Sequence, residues 1–198
     1  MVFPWIGQNP RRHIDASRPV RRVARLLLVI GLTAGAGAAV SGAERNAVPI
    51  GETATVIFQV VADGATEYGI PVIIQARLSV LEILRGTPAW ERLQTADPAN
   101  EPPAAGFEYL LVRVQISSEG SGAMRIPYEV RAEHFRIFDA ANQPYPTPAV
   151  RLPEPTLIGA KIYPNDVREG WLVFQIASND RRPEMFFFSG QWFRIGTG

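Results

Sequence analysis

Catalysis by a chain of this kind usually rests on histidine, cysteine or facing carboxylates, and the first two are scarce here. The sequence has no cysteine and two histidines, His13 and His134. His13 lies in a basic N-terminal stretch, so His134 stands alone, whereas triad and zinc chemistry draw on several such groups. A solitary His134 reads as a surface or half-buried residue of a strand. Carboxylates are more numerous: Glu82, Glu108, Glu129, Glu133 and Glu169 sit in or beside apolar runs. Two acids facing each other across a cleft could hydrolyse a glycosidic bond. Sequence spacing brings no two of them together, and acids on strands more commonly face water. Asp139 with Asn142, and Asn165 with Asp166, are too sparse for a calcium loop, whose ligands recur at close alternate positions. This set implies no catalytic residue, no metal and no cofactor.

Binding chemistry has more to draw on. Met185-Phe-Phe-Phe188 and Trp192-Phe193 are dense in aromatics. They could form a platform for a sugar or a partner. Alternatively, alternate members enter a core and the rest cover the strands. Asn100, Glu101, Tyr145 and Arg151 fall in loops at 96–106 and 144–156, and loops on a rigid scaffold carry recognition. With Trp192 they are the candidate contact residues.

Strands must position these groups. From 107 to 117 the side chains alternate, with Leu110, Val112, Val114 and Ile116 on one side and Leu111, Arg113, Gln115 and Ser117 on the other. That is the period of a strand with one dry and one wet face. Leu172, Phe174 and Ile176 alternate with Trp171, Val173 and Gln175 in the same way. Trp171 is a candidate for the large core residue of a sandwich. Other strands are expected at 54–62, 70–85, 125–130, 133–139, 157–163, 185–188 and 192–195. In 70–85 the apolar parity switches near Val80-Leu81, which predicts a bulge or a strand crossing between sheets. The stretch 86–94 reads as a short helix capped by Thr87, with Pro88 in its first turn and Trp90 and Leu93 facing inward. Five prolines within 144–155 make that segment irregular. Eight or nine short strands between Gly, Pro and Asn turns predict one all-β, antiparallel sandwich with one inserted helix over 44–198.

The first 43 residues are different. Six arginines precede an apolar run at 26–40, which ends in Ser41-Gly-Ala43. Basic, apolar, small is the order of a secretory signal, so 1–43 is expected to be a signal peptide cleaved after Ala43, or else an anchor. No cysteine follows the run to carry a lipid. Beyond it, 18 acids face 14 Arg and Lys, a net charge near −4. The basic character therefore belongs to the leader, and a nucleic-acid partner, which needs a basic patch, is excluded.

Three stretches together resemble a known family. They are Gly-Phe-Glu-Tyr-Leu-Leu-Val-Arg-Val at 106–114, Phe-Arg-Ile-Phe-Asp at 135–139 with Tyr145, and Tyr163-Pro-Asn-Asp166 leading to Glu-Gly-Trp-Leu-Val-Phe at 169–174. The family is the domain of unknown function numbered four-three-five-two, which is similar to a small secreted mycobacterial antigen. The resemblance spans about 50–196 and implies an immunoglobulin-like sandwich frequent in exported bacterial proteins. It implies no catalytic residues.

The function expected from all this is a non-enzymatic exported module that binds or supports an envelope or extracellular protein, with the membrane reached only through an uncleaved N-terminal segment. The alternative is a carboxylate-dependent hydrolase acting on carbohydrate. An inhibitor of a periplasmic enzyme would be a further binding function.

Overall fold

The computed structural model describes residues 46–61, 71–119 and 127–196. The expected signal at 1–43 and the turn at Asp63-Gly64 lie outside them. The described part is mostly β, with antiparallel sheets and one helix.

The longest strands are those with the clearest alternation. Strands β1 (Thr53–Val61), β2 (Pro71–Arg85) and β3 (Phe107–Glu119) pair antiparallel in sequence. A later strand, Val167–Ala177, adds to β3 and completes a four-stranded sheet. Between β2 and β3 the chain forms helix α1 (Thr87–Ala96). After β3 come β4 (Tyr128–Glu129), a 3-10 turn (Ala132–His134), β5 (Phe135–Phe138) and β6 (Lys161–Ile162). The Val167–Ala177 strand is thus β7, followed by the hairpin β8 (Glu184–Phe187) and β9 (Gln191–Arg194). Strands β5, β8 and β9 make a three-stranded sheet, and β4 pairs with β6.

One core lies between the sheets. Val56, Phe58, Leu78, Val80, Val112, Val114, Leu172 and Phe174 point into it from the larger sheet. Phe135, Ile137, Met185, Phe187 and Phe193 meet them from the smaller one. Each such side chain, when fully buried, contributes about 1.5–3 kcal/mol of transfer free energy.

The parity switch in β2 is a bulge. Val80 pairs with Val114 and Glu82 with Arg113, so Leu81 is the extra residue. It lets Ile83 keep facing the core while Leu84 turns to the other face.

That other face is not wholly wet, which corrects the expected division into one dry and one wet side. Ala89 and Leu93 of α1 close over Tyr109, Leu111, Trp171 and Val173, and form a second apolar cluster with Leu84, Trp90, Val150 and Leu152. Trp171 belongs to this cluster and not to the core between the sheets, contrary to expectation. Alternation along a strand cannot report a helix arriving from elsewhere in the chain.

Local corrections follow from backbone chemistry. Thr87 does not cap α1. Gly86 precedes the helix at φ 65°, with no side-chain cap, and Thr87 is the first helical residue. Gly86 suits that left-handed position. His134 lies in the 3-10 turn, and the strand expected at 133–139 begins only at Phe135. Of 125–130 only Tyr128 and Glu129 pair as a strand among the described residues. The strand expected at 157–163 shortens to Lys161–Ile162.

The preceding strap, 155–157, instead presses onto β7. Thr156 bridges Trp171, and Trp171 N donates to Pro155 O at 2.9 Å. A Cβ placed on Gly170 would lie 2.4 Å from Leu157 N and 2.8 Å from Pro155 O. Only glycine leaves room for the strap at that point, which explains its place before Trp171.

Candidate binding surfaces

The two loops singled out from sequence meet beside α1. Asn100 stitches them together. Its Nδ2 donates to Leu93 O at 2.8 Å, at the end of α1, and to Arg151 O at 2.9 Å. Its Oδ1 accepts from Arg151 N at 2.8 Å. Asp97 Oδ1 accepts from Ala99 N, and its Oδ2 pairs with Arg151 Nε at 3.1 Å. Glu101 contributes its carbonyl, which accepts from Tyr109 OH at 3.0 Å. Burial first, and then the Glu101 charge, raise the Tyr109 phenol above its ordinary pKa.

Asn100 is therefore a staple with its amide engaged, while the Arg151 side chain, 84% exposed, is the part offered to solvent. Arg92 stands over the Trp171 ring at 5.8 Å. Together α1, 97–106 and 150–152 form one surface with exposed cations and a rigid base.

Beyond α1 the same sheet face is open and polar. Thr53, Thr55, Arg77, Ser79, Gln115 and Ser117 floor a shallow concavity of about 460 Å³. Thr53 and Ser79 share a hydroxyl hydrogen bond of 2.7 Å, and Arg77 pairs with Glu119. Exposed Ile57 and Ile73 flank this floor.

Three of the five acids considered for a hydrolytic pair hold arginines instead. Glu169 and Glu82 both lean on Arg113, Glu82 at 3.6 Å, and Glu108 pairs with Arg85. Among the described residues no three His, Asp or Glu side chains gather as a metal-binding set.

The smaller sheet carries a different outer face. Met185, Phe187 and Phe193 are buried, so alternation sends Phe186 and Trp192 outward, with Phe138 beside them. These three half-buried rings touch at centroid separations of 4.8 to 6.1 Å. Arg136 and Arg194 are exposed beside them and make no ion pair among the described residues. Sequence reasoning named Trp192 and the aromatic run that holds Phe186, but missed Phe138 and the two arginines. Their outward parity was legible, yet the pairing of β5 with β8 was not.

Tyr145 sits apart from the other candidates. Its hydroxyl donates to Asp180 Oδ2 at 2.8 Å, and burial together with that bond pushes its pKa up to about 12.

His134 is a structural linchpin. Arg131 N donates to its Nδ1 at 3.1 Å. A backbone N–H can only donate, so Nδ1 is the acceptor and the ring proton sits on Nε2. The Tyr128 hydroxyl, 2.6 Å away, must donate as well. Burial holds His134 below its ordinary pKa and pushes the Tyr128 phenol up.

No protein-family profile matches the chain, and no curated protein matches it either. Among solved structures, a candidate lipoprotein of Bacillus subtilis is similar over 70% of this chain at 15% identity, with a TM-score of 0.44. This chain spans only 38% of that one's length.

Proposed function

We propose that this chain is an exported, non-enzymatic module of the bacterial envelope or extracellular space. In this reading it is an immunoglobulin-like β-sandwich that binds or supports another protein through α1 and its two stapled loops. The observation that carries the proposal is the Asn100 tie. It spends a part-buried amide on fixing two surface loops against a helix, and so preorganises a surface instead of filling a core. A four-stranded and a three-stranded sheet around one core support the immunoglobulin-like reading. So does the resemblance to family four-three-five-two. The basic, apolar, small order of 1–43 supports export.

The hydrolase alternative has less behind it. Glu82 and Glu169 share Arg113 on an open sheet face, which suits a structural ion-pair row. An acid catalyst would need a carboxyl kept neutral in a desolvated site.

The test is photo-crosslinking in the native envelope. A crosslinkable residue at Arg151 or Arg92 should yield a discrete adduct, whereas one at Thr55 should not. Equal, diffuse labelling at all three sites counts against the assigned surface. N-terminal sequencing of the recovered protein checks export separately.

A further inference from the structure

We propose that the outer face of the β5–β8–β9 sheet is a membrane-interface surface that seats the domain on anionic lipid headgroups. Two observations converge on it. The first is composition. Two rows cross this sheet, Arg136–Phe186–Trp192 and Phe138–Glu184–Arg194. Tryptophan and phenylalanine backed by arginine is the mixture that partitions to the bilayer interface, where rings sit among headgroups and guanidinium groups pair with lipid phosphate.

The second is charge. Two arginines face one glutamate here, whereas residues 44–198 as a whole are acidic by four charges. The face inverts the sign of the domain that carries it. An anionic leaflet would attract this face and repel the rest.

Ring geometry favours lipid over sugar. The interplanar angles are 51°, 56° and 87°, so the rings form a tilted wedge and not a flat stacking platform. The α1 surface lies on the opposite side of the core, free for the protein partner proposed above. The inference rests on the export reading, and the two are tested by separate readouts.

The full chain, as recovered from cells, is bound to vesicles of phosphatidylglycerol with phosphatidylcholine, or of phosphatidylcholine alone. Bromine-labelled lipid then quenches any tryptophan at the interface. Wild-type chain should lose more fluorescence than Trp192→Phe on the anionic vesicles, by at least a factor of two in the lipid-dependent part. Arg136→Glu/Arg194→Glu, which alters only exposed side chains, should remove that excess. Trp90 and Trp171 lie on the far side and should contribute nothing, and Trp5, where the N-terminal segment is retained, gives the same background in every variant. Equal quenching of wild type and Trp192→Phe on vesicles that hold the chain overturns the inference and leaves export untouched. A Trp192 emission shift with soluble cell-wall glycan, and none with lipid, also overturns it. Cell fractionation that leaves the chain in the cytosol would instead defeat the export reading.

Discussion

Asn100 and Arg151 exchange two hydrogen bonds, Nδ2 to the Arg151 carbonyl at 2.9 Å and the Arg151 amide to Oδ1 at 2.8 Å. The side-chain amide thus stands in for a neighbouring strand and satisfies a loop that has none. Asn100→Ala removes three bonds and should lower stability by about 2–3 kcal/mol. In a domain of this size the melting temperature should fall by about 5–10 °C. Asn100→Asp should be worse, because it sets a carboxylate against two carbonyl oxygens. Thermal melts of the three proteins give the ranking. An alanine variant as stable as wild type would remove the staple from the proposal.

Gly170 tests whether the strap sits as close as described. Gly170→Ala drives a methyl group into the backbone at 155–157, with the nearest atoms 2.4 to 2.8 Å away. None of these is a side chain that could swing aside. A loss of about 3 kcal/mol or more is expected in urea unfolding, at the upper end of overpacking. A loss below about 1 kcal/mol would mean that the strap moves freely.

The buried histidine sets a pH response. The folded pKa of His134 is lowered from the usual 6.5, chiefly by burial. Glu133 and Glu129 oppose that shift and Arg131 adds to it. Below the unfolded value the unfolded chain binds more protons than the folded one, so stability falls as pH drops through it and levels off below the folded value. Above the unfolded value His134 contributes no slope. Urea midpoints from about pH 7.5 to about pH 5 should show the decline in wild type and a flatter profile in His134→Gln. Tyr128→Phe removes a donor to Nδ1. It should cost about 1 kcal/mol and raise the His134 pKa, read by NMR titration.

The bulge makes a sharper test of register. Deleting Leu81 leaves Val80 opposite Val114 and Glu82 opposite Arg113, so every side chain keeps its face. The deletion should fold, with a loss of about 2 kcal/mol or less. Deleting Gln115 from β3 has no such escape, because it reverses the faces on one side of the cut against both β2 and β7. That variant should not fold. Circular dichroism and a denaturant melt of the two deletions decide the matter.

What was legible in the sequence was whatever alternation alone controls. The inward set Leu110, Val112, Val114 and Ile116, the bulge at Leu81, the hairpin at 185–195 and the short helix all follow from period and turn residues. Contacts that close over long separations were not legible. Leu111 read as part of a wet face, and Trp171 as a core residue of the sandwich, because nothing in β3 or β7 announces the helix that covers them both. His134 read as a strand residue because its side-chain bond to its own turn competes with the ladder, and only geometry shows which wins. Of the candidate contact residues, Asn100, Glu101 and Arg151 converge, whereas Tyr145 and Trp192 lie elsewhere. Loop composition flags exposure but not neighbours.

The lead-in beside β9 has a mechanical side. Val48 N donates to Trp192 O and Arg194 N donates to Val48 O, each at 2.9 Å, and the two segments run parallel. Tension applied through the two flanking segments would load both bonds at once, in shear, where an antiparallel pair joined at one end would unzip bond by bond. A pull applied through these two segments would thus meet a clasp of two hydrogen bonds loaded together.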